Sequence, residues 1–259
     1  MTLNLHHYEI HPNLTKQDTL FVHGNLASSI WWRPTLDQWR EMGGLGHGRF
    51  ILADGRGSGR NPEWSALEPF TLEQLALDYL ELLDHLHVRD VALVGHSLGG
   101  LVCLQMMILA PERIAKAVLL DPVGVRGVVF DAQMYEAFRR MAESPDLTRA
   151  VILGTIRGAE TLSQDFVDHI AGDAYKAVRG IGKAVLEILK SVDLRSEIQQ
   201  VQTPTLILHG VHDRVIPLDD SRQLHDLHSR SRLELLHDAG HCWNVENPDD
   251  FARRIREWL

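Results

Sequence analysis

The chain has 259 residues, 44% hydrophobic and 24% charged, with a formal net charge of −9. This is the composition of a globular protein with material for a large core, and a single α/β domain of this length is ordinary; the acidic balance and the lack of a basic stripe argue against a nucleic-acid partner. No apolar run approaches the ~18 residues of a membrane span, the start MTLNLHHYEIHPN lacks a signal-peptide pattern, and two cysteines, Cys103 and Cys242, are too few for a disulfide framework, so both are read as free thiols in a reducing cytoplasm.

In chain order, residues 3–10 alternate loosely and read as an edge strand. Residues 19–22 form a short apolar strand ending at His23-Gly24-Asn25, and residues 49–53 another, ending at Asp54-Gly55-Arg56-Gly57-Ser58-Gly59. The glycine-rich stretch 43–48 matches neither phosphate-binding pattern and reads as a flexible loop. Leu72, Leu75, Leu77, Leu80, Leu83 and Leu86 predict a helix over 71–86. Residues 91–94 read as a strand and 98–109 as a helix stopped by Pro111, with Met106 and Met107 in the core. Residues 117–120 are a strand ending at Asp121-Pro122.

The segment 126–200 shows no convincing strand. Met134, Phe138 and Met141 fit one helical face, and Val185, Leu186, Ile188, Leu189 and Val192 another, which suggests a helical lid over the carboxyl edge of the sheet. Strand, helix and strand then return at 205–208, 219–227 and 233–236. Asn247-Pro248 caps a last helix whose apolar face is Phe251, Ile255, Trp258 and Leu259. Short apolar strands alternating with helices imply a mostly parallel sheet covered on both faces.

The chemistry concentrates around VALVGHSLGG, residues 91–100. A strand that turns at once into a helix strains the turn residue, and Gly95 and Gly99, two positions either side of Ser97, relieve the crowding. This is the Gly-x-Ser-x-Gly nucleophile elbow. A serine hydroxyl needs a base and an acid that orients the base. Asp213 follows the strand at 205–208 and His241 follows the last strand, in the order serine, acid, histidine; Asp121, which also ends a strand, is the rival acid. The backbone N–H of Leu98 and one from the His23-Gly24-Asn25-Leu26 loop, either Asn25 or Leu26, suit an oxyanion. Core filling is the default for Trp31, Trp32 and Trp243, with the pocket wall left open to one of them; Trp31, Trp243 and His96 are the candidates for that wall, and Cys242 lacks the elbow a nucleophile needs. His225 and His228 have helical spacing but no third ligand in sequence reach, so they read as a solvated helix face.

Taken together, His23-Gly24-Asn25, Asp54 to Gly59, Gly95 to Gly100, His209-Gly210-x-x-Asp213 and Gly240-His241 resemble the α/β-hydrolase fold family over nearly the whole chain. The resemblance implies a sheet of seven or eight strands, with the family's first strand missing or merged because some 18 residues precede the strand at 19–22. It implies a core of 1–125 and 201–259 with a helical cap at 126–200. It also implies a serine hydrolase acting on a small or medium apolar ester or lactone, with no cofactor or metal. Serine at the elbow disfavours the dehalogenase and epoxide-hydrolase branches, which carry aspartate there. Amide, thioester or carbon–carbon hydrolysis, a ligand receptor on the same fold, and cofactor-free oxidation chemistry stand as alternatives, and the oligomeric state is left open.

Overall fold

The short apolar runs pair into one seven-stranded sheet in the computed structural model of the chain, which describes residues 5, 7–12, 17–43, 48–61, 63–65, 68–128 and 132–259. Its strands are β1 (Tyr8–Pro12), β2 (Asp18–Val22), β3 (Arg49–Ala53), β4 (Val91–His96), β5 (Ile114–Leu120), β6 (Thr205–Gly210) and β7 (Ser231–Leu236). They lie in the order β1-β3-β2-β4-β5-β6-β7. β1 runs antiparallel to β3 and every other neighbouring pair is parallel. β4 and β6 are buried at every position, as expected of strands covered on both faces.

Three helices connect the first strands: α1 (Arg33–Glu41), α2 (Leu72–His85) and α3 (Leu98–Leu109). Five lie between β5 and β6: α4 (Ala132–Glu143), α5 (Pro145–Gly154), α6 (Gln164–Gly180), α7 (Gly182–Ser191) and α8 (Arg195–Ile198). α9 (Leu218–Leu227), α10 (Trp243–Glu246) and α11 (Pro248–Trp258) complete the chain. α2 packs on α3 over one face of the sheet, and α1 packs on α11 over the other. The Thr71 hydroxyl accepts the Gln74 N–H at 3.1 Å to start α2. Asn247 accepts the Asp250 N–H at 3.2 Å to start α11, whose Phe251 and Ile255 are fully buried. Each such side chain contributes about 1.5–3 kcal/mol of burial. No helix among the described residues is long and apolar enough to cross a membrane.

Three features of the fold depart from the sequence reading. The edge strand sits at Tyr8–Pro12 rather than 3–10, in register with β3 from Tyr8 opposite Ala53, while Leu5 is buried in the core; residues 3, 4 and 6 lie outside the described residues. In the glycine-rich loop, residues 44–47 likewise lie outside them. α1 went unpredicted, although Leu36 and Trp39 are its buried face. His228 is not on a solvated face. It is fully buried, with its Nε2 2.9 Å from the Thr205 hydroxyl, because the end of α9 turns back against the start of β6.

The helices between β5 and β6 are tied to the rest of the chain by polar contacts. The Ser28 hydroxyl donates to Asp173 of α6 at 2.5 Å. Lys176 donates to the carbonyls of Gly59 and Asn61 at 2.7 and 2.9 Å. The second of these loops is itself held by Arg56, which forms a bidentate, buried pair with Asp78 of α2 at 2.7 and 2.6 Å. Arg56→Met leaves the Asp78 carboxylate buried without its cation. The expected loss is about 3 kcal/mol of unfolding free energy in urea titration, well above the effect of removing an exposed ion pair such as Arg139 with Glu136.

Candidate active site

Parallel register brings the ends of β4, β5, β6 and β7 to one edge, and backbone bonds lace them together. The Ser97 N–H donates to the Leu120 carbonyl at 3.0 Å, Asp121 N–H to Leu208 at 2.9 Å, and His212 N–H to Ala239 at 2.9 Å. The residues that follow these strands therefore share one rim.

Ser97 occupies the turn between β4 and α3 with φ 55° and ψ −119°, a conformation that costs a non-glycine residue about 1–3 kcal/mol. Two glycines make it sterically feasible. A Cβ at Gly95 would stand 2.7 Å from the Cys103 sulfur, and one at Gly99 would overlap the Val22 carbonyl. The start of α3 thus rests against the end of β2, beside the loop 23–26.

That loop is fixed by His23. Its Nδ1–H donates to the Gly24 carbonyl at 2.9 Å and its Nε2 accepts the Gly55 N–H at 2.7 Å. Gly24 lies close to the elbow: a Cβ there would be 3.2 Å from Cβ of Ser97. Leu26 has φ 54°. Among the described residues the N–H groups of Leu98 and Leu26 have no protein acceptor, and the buried side-chain oxygen of Asn25 has no partner. Free N–H groups at a helix start and a neighbouring loop are what an anionic oxygen requires.

The His241 Nδ1–H donates to Asp213 Oδ2 at 2.7 Å, with both side chains buried. This leaves Nε2 as the imidazole's acceptor. Burial raises the Asp213 carboxyl, but the bond and charge of His241 and the N–H groups of Val215 and Ile216 outweigh it, so its pKa is lowered. Asp121, the rival acid, instead accepts the Gly210 N–H at 2.8 Å and is fully buried. Burial and the Asp213 charge push its pKa well above the ordinary carboxylate value. Asp121, Asp213 and His241 bring ligand atoms within 4.8 Å of one another. They are the described residues that could offer a metal three ligands; His241 Nδ1 and Asp213 Oδ2 are bonded to each other and Asp121 Oδ1 to Gly210, while Asp121 Oδ2 has no hydrogen-bond partner among the described residues.

Ser97 and His241 line one cavity of about 210 Å³, although the Ser97 hydroxyl makes no side-chain hydrogen bond among the described residues. Asn25, Leu26, Leu98, Trp31 and His96 also line it. Trp243 does not: it is buried in the core on the α11 face, its Nε1–H donating to Asp250 at 3.0 Å. The sequence reading missed most of the cavity's apolar wall, including Val151, Ile152 and Ile216; the Met134, Phe138, Met141 stripe was the available signal, and these three do line the cavity. Cys103 and Cys242 are free and buried.

The motifs, the topology and the rim together place the chain among known proteins. A family profile described as the alpha/beta hydrolase fold matches residues 20–248, and the chain belongs to that family. It is 29% identical over 98% of its length to a putative carbamate hydrolase, RutD, of Variovorax paradoxus, covering 95% of that protein. It is 27% identical to 3-oxoadipate enol-lactonase 2 of Acinetobacter baylyi over 79% of this chain and 76% of that one. A solved hydrolase from Pseudomonas aeruginosa superposes with a TM-score of 0.81 at 26% identity, over 97% and 93% of the two chains. The protein is a hydrolase of this fold.

His96 lies behind the site. Its Nε2–H donates to the His241 carbonyl at 2.8 Å and its ring centroid is 4.7 Å from that of His241. Burial, then the neighbouring His241 charge, lower its pKa from 6.5 to about 3. The unfolded chain takes up this proton below pH 6.5 while the folded one does so only near pH 3, so the stability contribution is complete above 6.5 and is lost as pH falls towards 3. The urea midpoint is expected to drop through this range, and His96→Gln to show a shallower decline, by up to about 1.4 kcal/mol per pH unit.

Proposed function

We propose that the protein is a serine hydrolase of small or medium carboxylic esters or lactones, working through an acyl-enzyme. The observation that carries this reading is the His241–Asp213 hydrogen bond on the wall of the same apolar cavity as Ser97. Asp213 holds the imidazole with its proton on Nδ1, so Nε2 can take the Ser97 proton as the hydroxyl attacks the carbonyl. The N–H groups of Leu98 and Leu26 receive the developing oxyanion, where a preorganised donor is worth far more than one in water. His241 returns the proton to the departing oxygen, and water, activated by the same nitrogen, then releases the acid.

The apolar wall built by α4, α5 and α7 favours a hydrocarbon acyl portion, and these helices act as a cap over the sheet edge. A relative named as an enol-lactonase supports a lactone, and relatives named as carbamate hydrolases support attack on a small carbonyl. No metal or cofactor enters these steps.

Ser97→Ala is expected to cut turnover of short 4-nitrophenyl esters by at least about 10⁴-fold and to abolish fluorophosphonate labelling. Full turnover by this variant, or labelling at another residue, overturns the assignment. A receptor on this fold would instead show few catalytic cycles and a ligand-induced rise in Tm. The two acids separate in the same assay. Asp213→Asn is expected to lower kcat by about 10³–10⁴-fold, since the amide leaves the imidazole in the wrong tautomer. Asp121→Asn keeps an acceptor for Gly210. It also removes a group whose pKa the fold raises above 3.8, a difference that costs stability as pH rises through the carboxylate range. Its Tm at neutral pH is expected to equal or exceed the parent's, with activity within about threefold.

A further inference from the structure

A second space adjoins the apolar cavity, and its chemistry is the opposite. It is a cleft of about 370 Å³ whose wall includes Arg157, His212 and Arg214. It shares Thr155, Val215 and His241 with the cavity of Ser97, so the two meet at the imidazole. Both arginines are exposed, on the loop after α5 and on the loop carrying Asp213. One Arg157 nitrogen donates to the Asp238 carbonyl, which steadies the side chain while leaving its other N–H groups to the cleft. Among the described residues neither guanidinium pairs with a carboxylate.

Two carboxylates beside the cleft, Glu246 and Asp213, are engaged with other groups. Glu246 accepts the N–H groups of Gly240, Cys242 and Arg157 at 2.6, 3.0 and 3.1 Å. Asp213 is bound to His241 and to the N–H groups of Val215 and Ile216 at 2.7, 2.6 and 3.1 Å. The cleft therefore presents two cationic forks beside the group that hands a proton to the leaving oxygen. Guanidinium is the side chain whose geometry best matches a carboxylate or phosphate.

We infer that this cleft binds an anionic group, carboxylate or phosphate, carried by the alcohol portion of the substrate, while the acyl chain occupies the apolar cavity. The inference rests on the serine-hydrolase reading for the direction of the leaving group. It narrows the substrate class to an apolar acyl ester of an anionic alcohol, or a lactone whose alcohol carbon bears the anion. In the acylation step the serine oxygen bonds to the carbonyl carbon, the alcohol oxygen departs with the proton from His241, and the anion is unchanged.

The test uses three esters with one acyl group: 4-(hexanoyloxy)benzoate, its neutral isostere 4-(hexanoyloxy)benzamide, and 4-(hexanoyloxy)phenyl phosphate. The amide is the more electron-withdrawing substituent, so a preference for the carboxylate reflects binding rather than leaving-group ability. kcat/KM is the quantity to compare, because it reports the steps through alcohol departure. An anionic ester is expected to be favoured over the amide by about tenfold, the scale of one charge-assisted bond at an exposed site, and the preference to shrink with added salt. The better of the two anions identifies the source. Arg157→Gln and Arg214→Gln are each expected to reduce the ratio, and Arg214→Glu to bring it below one. A parent ratio near one, or a ratio that no arginine variant moves, overturns the inference while leaving the serine-hydrolase reading intact. Dissociation constants of the same esters for Ser97→Ala give a readout independent of turnover. If the parent hydrolyses none of them, the hydrolase reading fails on these substrates, and the ratio of dissociation constants alone supports or overturns the anion site.

Discussion

The whole site depends on how closely α3 approaches the end of β2. No side chain stands between Gly99 and the Val22 carbonyl, or between Gly95 and the Cys103 sulfur, and a single methyl at either place would force the elements apart. That contact fixes three things together: the backward turn at Ser97, the free N–H groups at the start of α3, and the nearness of the loop 23–26. The strain stored at Ser97 is held by its surroundings, which include the Ser97 N–H bond to Leu120 and the Val123 N–H bond to the Ser97 carbonyl at 3.2 Å.

Around this rigid corner the electrostatics divide into neutral and charged parts. His23, His96, His209 and His228 are all buried, and burial lowers each pKa; His23 and His96 orient backbone, while His209 and His228 pair with the hydroxyls of Ser221 and Thr205. Burial and the Asp213 charge raise the Asp121 pKa well above the ordinary carboxylate value. Asp213, its pKa lowered by the bond from His241, is a charged element of this layer, and the exposed arginines border the cleft on the far side of His241. A gradient from apolar cavity to cationic cleft across one imidazole is the feature that most narrows the chemistry proposed for this protein.

Several elements were legible in the chain because one local rule governed each. Leucines at helical spacing define α2, and Asn247-Pro248 followed by the Phe251, Ile255 face defines α11. The elbow was legible because strand, glycine, serine, glycine and helix must occur in that order for the turn to close. Asp213 and His241 were legible as residues just beyond strands, which parallel register carries to one edge. α1 and His228 were not, because tertiary packing decides both: Trp39 is buried against Phe50 across a sheet face, with ring centroids 4.7 Å apart, and His228 is enclosed by the start of β6. Trp243 stands two residues after His241 in the chain yet is buried in the opposite core, because it opens α10 while His241 belongs to the loop before it.

The sequence by itself determined most of the alternation of strands and helices and the residues that stand at the carboxyl edge, because hydrophobic period, turn chemistry and caps are local and act within a few residues; its motifs carried the resemblance to the fold family. Only the tertiary structure decided which acid the imidazole holds, which side chains wall the cavity, and that two arginines border it. Those outcomes depend on distances between segments as far apart as α4, α5 and the loop after β6, and such distances are set by packing across the whole molecule.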